Sequence, residues 1–135
     1  MPDPEADKLL NHAINAALEL LAKHDCIYPF ALVNDDNESG RFVTASEQEE
    51  ALSEEVVALI VKALKKDVRS GKISMVAIVE TLGINLDESG LIDAIKIHIE
   101  GKKRPVVVCY LPYKRSKRKV VEGEPVFTSA ESRFF

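Results

Sequence analysis

Residues 91–100 read LIDAIKIHIE, and from Ile95 to Ile99 isoleucine takes every second position. Side chains alternate between the two faces of a strand, so Ile95, Ile97 and Ile99 share one face while Lys96, His98 and Glu100 share the other. A helix would scatter the same isoleucines around its circumference. The spacing therefore predicts a half-buried antiparallel strand with the isoleucines in the core. His98 and Glu100 are then outward-facing neighbours, with side chains about 7 Å apart by strand geometry. A metal site needs three or four converging ligands, and the sequence supplies no fixed third partner for this pair.

The period of two holds from Lys72 onward. ISMVAIVETLGINL and LIDAIKIHIE flank the turn DESG and pair as a hairpin. GKKRP turns the chain into VVVCYLPY, a third strand of the meander bracketed by Pro105 and Pro112. Earlier segments change period. In DPEADKLLNHAINAALELLAKHD, Asp3 can cap a helix, Pro4 suits its first position, and Leu10, Ile14, Ala17, Leu18 and Leu21 form an apolar stripe. Tyr28–Val33 and Arg41–Thr44 read as a hairpin around NDDNESG, with Pro29 at the first strand's start. SEQEEALSEEVVALIVKALKKDVRSG is the second helix: Ser46 and Glu49 make a capping box and Gly71 is the stop signal. Its expected stripe is Leu52, Val56, Leu59, Ile60, Ala63 and Leu64.

The fold class that follows is α+β, a five-stranded, mainly antiparallel sheet with two long helices in the order α-β-β-α-β-β-β. Residues 1–113 form one domain of common size, and 114–135 are a basic segment and a tail that can dock on it through Phe127, Phe134 or Phe135. Around FALVNDDNESGRFVTA, the run of helix, strand, acidic-Gly turn, short strand, long helix and meander resembles the roadblock and profilin-like group of small α/β modules. The resemblance is one of element order over roughly residues 5 to 113. It implies homodimers and protein-scaffold roles, with small-molecule sensing in some relatives, and it carries no functional residues over.

Charge is unevenly spread. The formal net charge is -4, yet eight of 18 basic residues fall between Lys102 and Lys119 with no acidic residue among them. These are Lys102, Lys103, Arg104, Lys114, Arg115, Lys117, Arg118 and Lys119, and they are the candidates for an anionic partner. A seven-residue strand separates the two halves of this set by roughly 20 Å, so they need not form one patch. Tyr110 and Tyr113 could stack on bases, but no RNA-binding signature occurs and the pI of 5.4 lies far below that of nucleic-acid-binding domains, so nucleic acid is disfavoured.

Catalytic and cofactor signals are missing. There is no G-x-S-x-G, no G-x-G-x-x-G and no G-K-[ST], and Gly40 falls in the wrong place for NDDNESG to be a calcium loop. Cys26 and Cys109 lack ligand or redox spacing and read as small buried hydrophobes. No catalytic residue, cofactor or metal ligand is assigned. MPDPEADKLL is unlike a signal or transit peptide, and no apolar run approaches the roughly 20 residues of a membrane span, so a cytoplasmic setting is expected, of bacterial type from the compact length. The function expected is a non-enzymatic protein-interaction or regulatory module, self-associating or bound to another protein through a sheet edge or helix face. The alternative is a small-ligand sensor or enzyme with a pocket between sheet and helices, where Tyr28, His98 and Tyr110 supply the polar groups.

Overall fold

The computed structural model of the chain describes residues 4–23, 29–35, 40–44, 53–85, 91–102, 104–116, 119–132 and 134–135. Helix α1 spans Pro4–Lys23, with Glu5 and Asp7 in its first turn and Lys23 in its last, each favourable to the helix dipole. It buries Leu9, Ala13, Ala17 and Leu21, while Leu10, Ile14 and Leu18 are only partly covered. The contact line is turned by one residue from the expected stripe. The small Ala13 and Ala17 let the helix axis approach the sheet, and the larger residues flank that line.

Strands β1 (Phe30–Asp35) and β2 (Arg41–Thr44) form the first hairpin. Gly40 closes its turn at φ 75°, donating its N–H to Asn34 Oδ1 at 2.8 Å. Helix α2 covers Ser53–Arg69 and buries Val56, Val57, Ile60, Leu64 and Val68. Leu59, expected in that stripe, lies on the helix flank and is 49% exposed, and Ala63 is also exposed. The capping box of Ser46 and Glu49, and Leu52, lie outside the described residues. The helix ends as Gly71 enters the left-handed region at φ 81° and the Lys72 N–H reaches back to the Asp67 carbonyl at 3.0 Å.

Strands β3 (Ile73–Asn85), β4 (Leu91–Gly101) and β5 (Val107–Ser116) then run as an antiparallel meander. The sheet does not stop at five strands. Among the described residues two more, β6 (Lys119–Glu122) and β7 (Val126–Ser129), bring it to seven, in the order β2-β1-β3-β4-β5-β6, with β7 also on β5. Pro112, expected to close the third strand, lies inside β5 opposite Ala94, and the chain continues into the basic run. Both β6 and β7 pair antiparallel with the same edge of β5, on its far and near halves. Tyr113 faces Glu122 and Tyr110 faces Val126, so Leu111 and Pro112 oppose three residues, Gly123 to Pro125. That extra residue is a bulge, placed where Pro112 has no N–H to give; its carbonyl instead accepts the Gly123 N–H at 2.7 Å.

The helices take opposite faces. Helix α1 packs on Phe30, Leu32, Met75, Ala77, Val79, Ile95, Ile97 and Ile99, while α2 packs on Ala31, Val33, Val76 and Ile78. β1 and the first half of β3 are thus covered on both sides, which explains their continuous apolar runs FALV and MVAIV. Among the described residues, no helix is long and apolar enough to cross a membrane.

Candidate functional site

On the α2 face of the sheet, α2 covers only the β1–β3 half. Ile78, His98, Val108 and Thr128 form one cross-strand row through β3, β4, β5 and β7, and Val76 and Glu100 sit in the next. Chain covers His98 and Glu100 as well. The segment after β7 returns over them, and Phe134 packs against the α2 cluster. His98 is 2% exposed and Glu100 1%, so the expectation that they face solvent is wrong. They do share a face as the alternation required, but the missing cover lay 32 to 35 residues further along.

Burying a carboxylate is costly unless hydrogen bonds replace its water. Here they do. Glu100 Oε2 lies 2.6 Å from His98 Nε2, which must be the protonated nitrogen if the carboxylate is to accept from it. Glu100 Oε1 accepts from Ser132 Oγ at 2.8 Å, from the Phe134 amide at 2.7 Å and from the Phe135 amide at 3.0 Å. Ser132 Oγ also accepts from the Phe135 amide at 3.0 Å and shares its one hydrogen between Glu100 Oε1 and the Phe135 carbonyl oxygen, which closes the segment into a turn. Such convergent amides form an anion-binding nest, and the anion is a side chain of the sheet.

The pair has the makings of an orienting carboxylate and a base, as in a catalytic triad, yet it is connected the other way. Ser132 donates to Glu100 Oε1, whereas a triad serine must donate to the histidine. Among the described residues no group of three or more His, Cys, Asp or Glu could hold a metal ion. What this arrangement does is hold a chain segment.

Of the polar groups expected to line a pocket, His98 and Tyr110 are brought together. They line a recess of about 380 Å³ with Lys96, Val108, Thr128 and Ser129 of β7, and Ala130 to Ser132 of the returning segment. Lys96 is tied to Glu80 of β3 at 3.5 Å. Tyr28 lies outside the described residues. The basic candidates fall at the two ends of β5. Lys102 is exposed beyond β4, and Arg104 binds Glu5 at 2.9 Å, clamping the first turn of α1 to the sheet. Lys114 is exposed on the far half of β5; Arg115 and Lys119 occupy β5 and β6, opposite Val120 and Ser116. Lys103, Lys117 and Arg118 lie outside the described residues.

A second feature had no signal in the sequence reading. At the β5 edge, β7 is exposed at all four positions, with Val126 43% and Phe127 54% open to solvent and Val121 of β6 56% open. Phe127 also lines a groove of about 660 Å³ that opens between the start of α1 and the sheet, with Leu10, Met75, Ile99 and Val107 on its walls. Cys109 is buried beneath this edge as a free thiol, and burial pushes its pKa from 9.0 up to about 11. Cys26 lies outside the described residues. Compared with known proteins, the chain matches no family model, no curated protein and no solved structure.

Proposed function

We propose that the protein is a non-enzymatic interaction module that binds an extended segment of another polypeptide by strand addition along the outer edge of β6 and β7. The observation that carries this reading is the character of that edge. Edge strands normally avoid pairing by bearing charge or being covered, because their unpaired N–H and C=O groups template a further strand. Here Val121, Val126 and Phe127 stand exposed on an edge that pairs with no other described strand. Strand addition draws affinity from main-chain hydrogen bonds and specificity from side-chain pockets, and the groove beside Phe127 offers such a pocket on the α1 face.

Charge selects the occupant. Exposed Glu122, Glu124 and Glu131 flank the apolar centre of the edge, which favours a segment with alternating apolar residues and Lys or Arg at its ends. A second copy fits less well: β7 paired with itself about a two-fold would set Glu124 against Glu131. Free, buried Cys109 goes with a reduced, cytoplasmic setting.

The test is selection from a random peptide library on the full chain. Enriched peptides should alternate apolar residues between basic ends and bind Phe127→Lys at least ten times more weakly. Peptides of unrelated pattern, or equal binding to Phe127→Lys, would sink the reading.

A further inference from the structure

Strand addition makes no use of the recess on the α2 face of the sheet. Its floor is a cross-strand grid. Lys96 of β4 lies opposite Tyr110 of β5, and in the next row His98 lies opposite Val108, which faces Thr128 of β7. At about 380 Å³ it has room for roughly a dozen non-hydrogen atoms, at the ~30 Å³ that one water takes in the liquid. That is the scale of a small molecule.

His98 is 2% exposed, and only one of its two ring nitrogens is bonded. Nε2 donates to Glu100 Oε2 at 2.6 Å, which leaves Nδ1 of the neutral ring as an acceptor with no partner among the described residues. No fully buried side-chain nitrogen or oxygen of the described residues lacks a partner. Nδ1 is therefore not sealed inside the protein, and it opens on the recess that the ring lines. Glu100 fixes this tautomer, because a proton moved to Nδ1 would cost the bond to the carboxylate. Half-buried Tyr110 lines the same recess, and its hydroxyl also bonds no described residue.

The charges of the wall choose between ligands. Lys96 is its basic group, and Glu80 lies 3.5 Å from the Lys96 Nζ and offsets it. Glu131 then leaves the wall with a surplus of negative charge. An imidazole lone pair, a phenol oxygen and a carboxylate are three acceptors, and an ammonium group is three donors with no acceptor. The ring of Tyr110 adds a face that attracts a cation. A ligand carboxylate or phosphate would instead meet the lone pair of Nδ1 and the charge of Glu131.

We infer that this recess is a binding site for a small primary amine, whose ammonium donates to His98 Nδ1 and Tyr110 Oη with Glu131 as its counter-charge. The site goes beyond strand addition and does not depend on it.

Long-range proton–nitrogen correlation of the imidazole reads the site directly in the full chain. At mildly alkaline pH an imidazole is neutral and an alkylamine still charged, so free His98 should carry its proton on Nε2 and none on Nδ1. Butylamine should shift the Nδ1 resonance saturably, with a Kd at least tenfold below those of 1-butanol and butyrate, which resemble it in shape. Tyr110→Phe keeps the ring and removes the hydroxyl, and should weaken butylamine at least threefold. Thr128→Phe, at an exposed strand position, puts a ring into the recess and should weaken it at least tenfold. Both variants leave the His98–Glu100 bond in place, so the Nε2 proton signal reports in each that the fold around the site is intact. A proton on Nδ1 in the free protein, or no saturable shift with butylamine, would overturn the inference. So would equal affinity for the alcohol or the carboxylate, or undiminished binding to either variant.

Discussion

Replacing Glu100 by Gln tests whether the returning segment is held by charge. The amide keeps an oxygen for Ser132, Phe134 and Phe135, and its NH2 can donate to His98 Nε2 when the ring proton sits on Nδ1. Shape is preserved and the charge is removed. A hydrogen bond to a charged group is worth about 1.5–3 kcal/mol against about 0.5–1.5 for a neutral one, so each of the three donors on Oε1 loses about 1 kcal/mol. The neutral amide is cheaper to bury, which offsets part of this and leaves the segment roughly 1.5–3 kcal/mol looser. At 1.4 kcal/mol per factor of ten, the Phe134 and Phe135 amides should exchange with solvent about 10–100 times faster than in the wild type. Amide hydrogen exchange read residue by residue gives the answer, with the Ile95 and Ile97 amides of β4 as the internal reference. Wild-type rates at Phe134 and Phe135 would refute the account of the latch. Equal acceleration at Ile95 and Ile97 would refute it differently, by making Glu100 a support for the whole sheet.

Other substitutions separate neighbouring causes. Gly40→Ala and Gly71→Ala each force a left-handed φ on alanine, at about 1 kcal/mol. At Gly40 the new Cβ would also overlap the His12 ring, whereas at Gly71 it meets nothing, so in urea denaturation Gly40→Ala should lose more stability. Ile60→Ala should cost about 2–5 kcal/mol, while Leu59→Ala on the exposed flank of α2 should stay below about 1. With the Cys109 thiol raised to about 11 by burial, the folded state holds that proton more tightly than the unfolded chain. The stability it contributes is therefore present below pH 9 and lost as pH rises toward 11, and Cys109→Ala should flatten that stretch of the stability profile. For the same reason Cys109 should react with a disulfide reagent at pH 8 at least 100 times more slowly folded than denatured.

The isoleucine alternation gave the middle strand directly, because a period of two is imposed by backbone geometry and survives any choice of neighbours. FALV and MVAIV carried a further message: an apolar run without alternation is a strand covered on both faces. With α2 long enough to cover only β1 and β3, that message left the wet-looking face of β4 needing its own cover. Lys96, His98 and Glu100 hid the need, since charged residues on a strand usually mark solvent. The phenylalanines marked the tail as a segment that can dock, but its bonding to Glu100 was not legible, because Ser132 and Phe134 reach Glu100 through one hydroxyl and one amide, and such contacts have no periodicity. KVVE and VFTS were short and embedded in charge, and Pro112 read as a terminator when it marks a bulge. The open edge follows from those two strands, so it stayed out of view with them.

The most direct measurement of the function is amide exchange of the full chain with and without a library-selected peptide. Strand addition predicts new protection concentrated along residues 119–129, on the edge where Val121, Val126 and Phe127 are exposed. Protection that falls instead on the helices or on β2, with residues 119–129 unchanged, would contradict it.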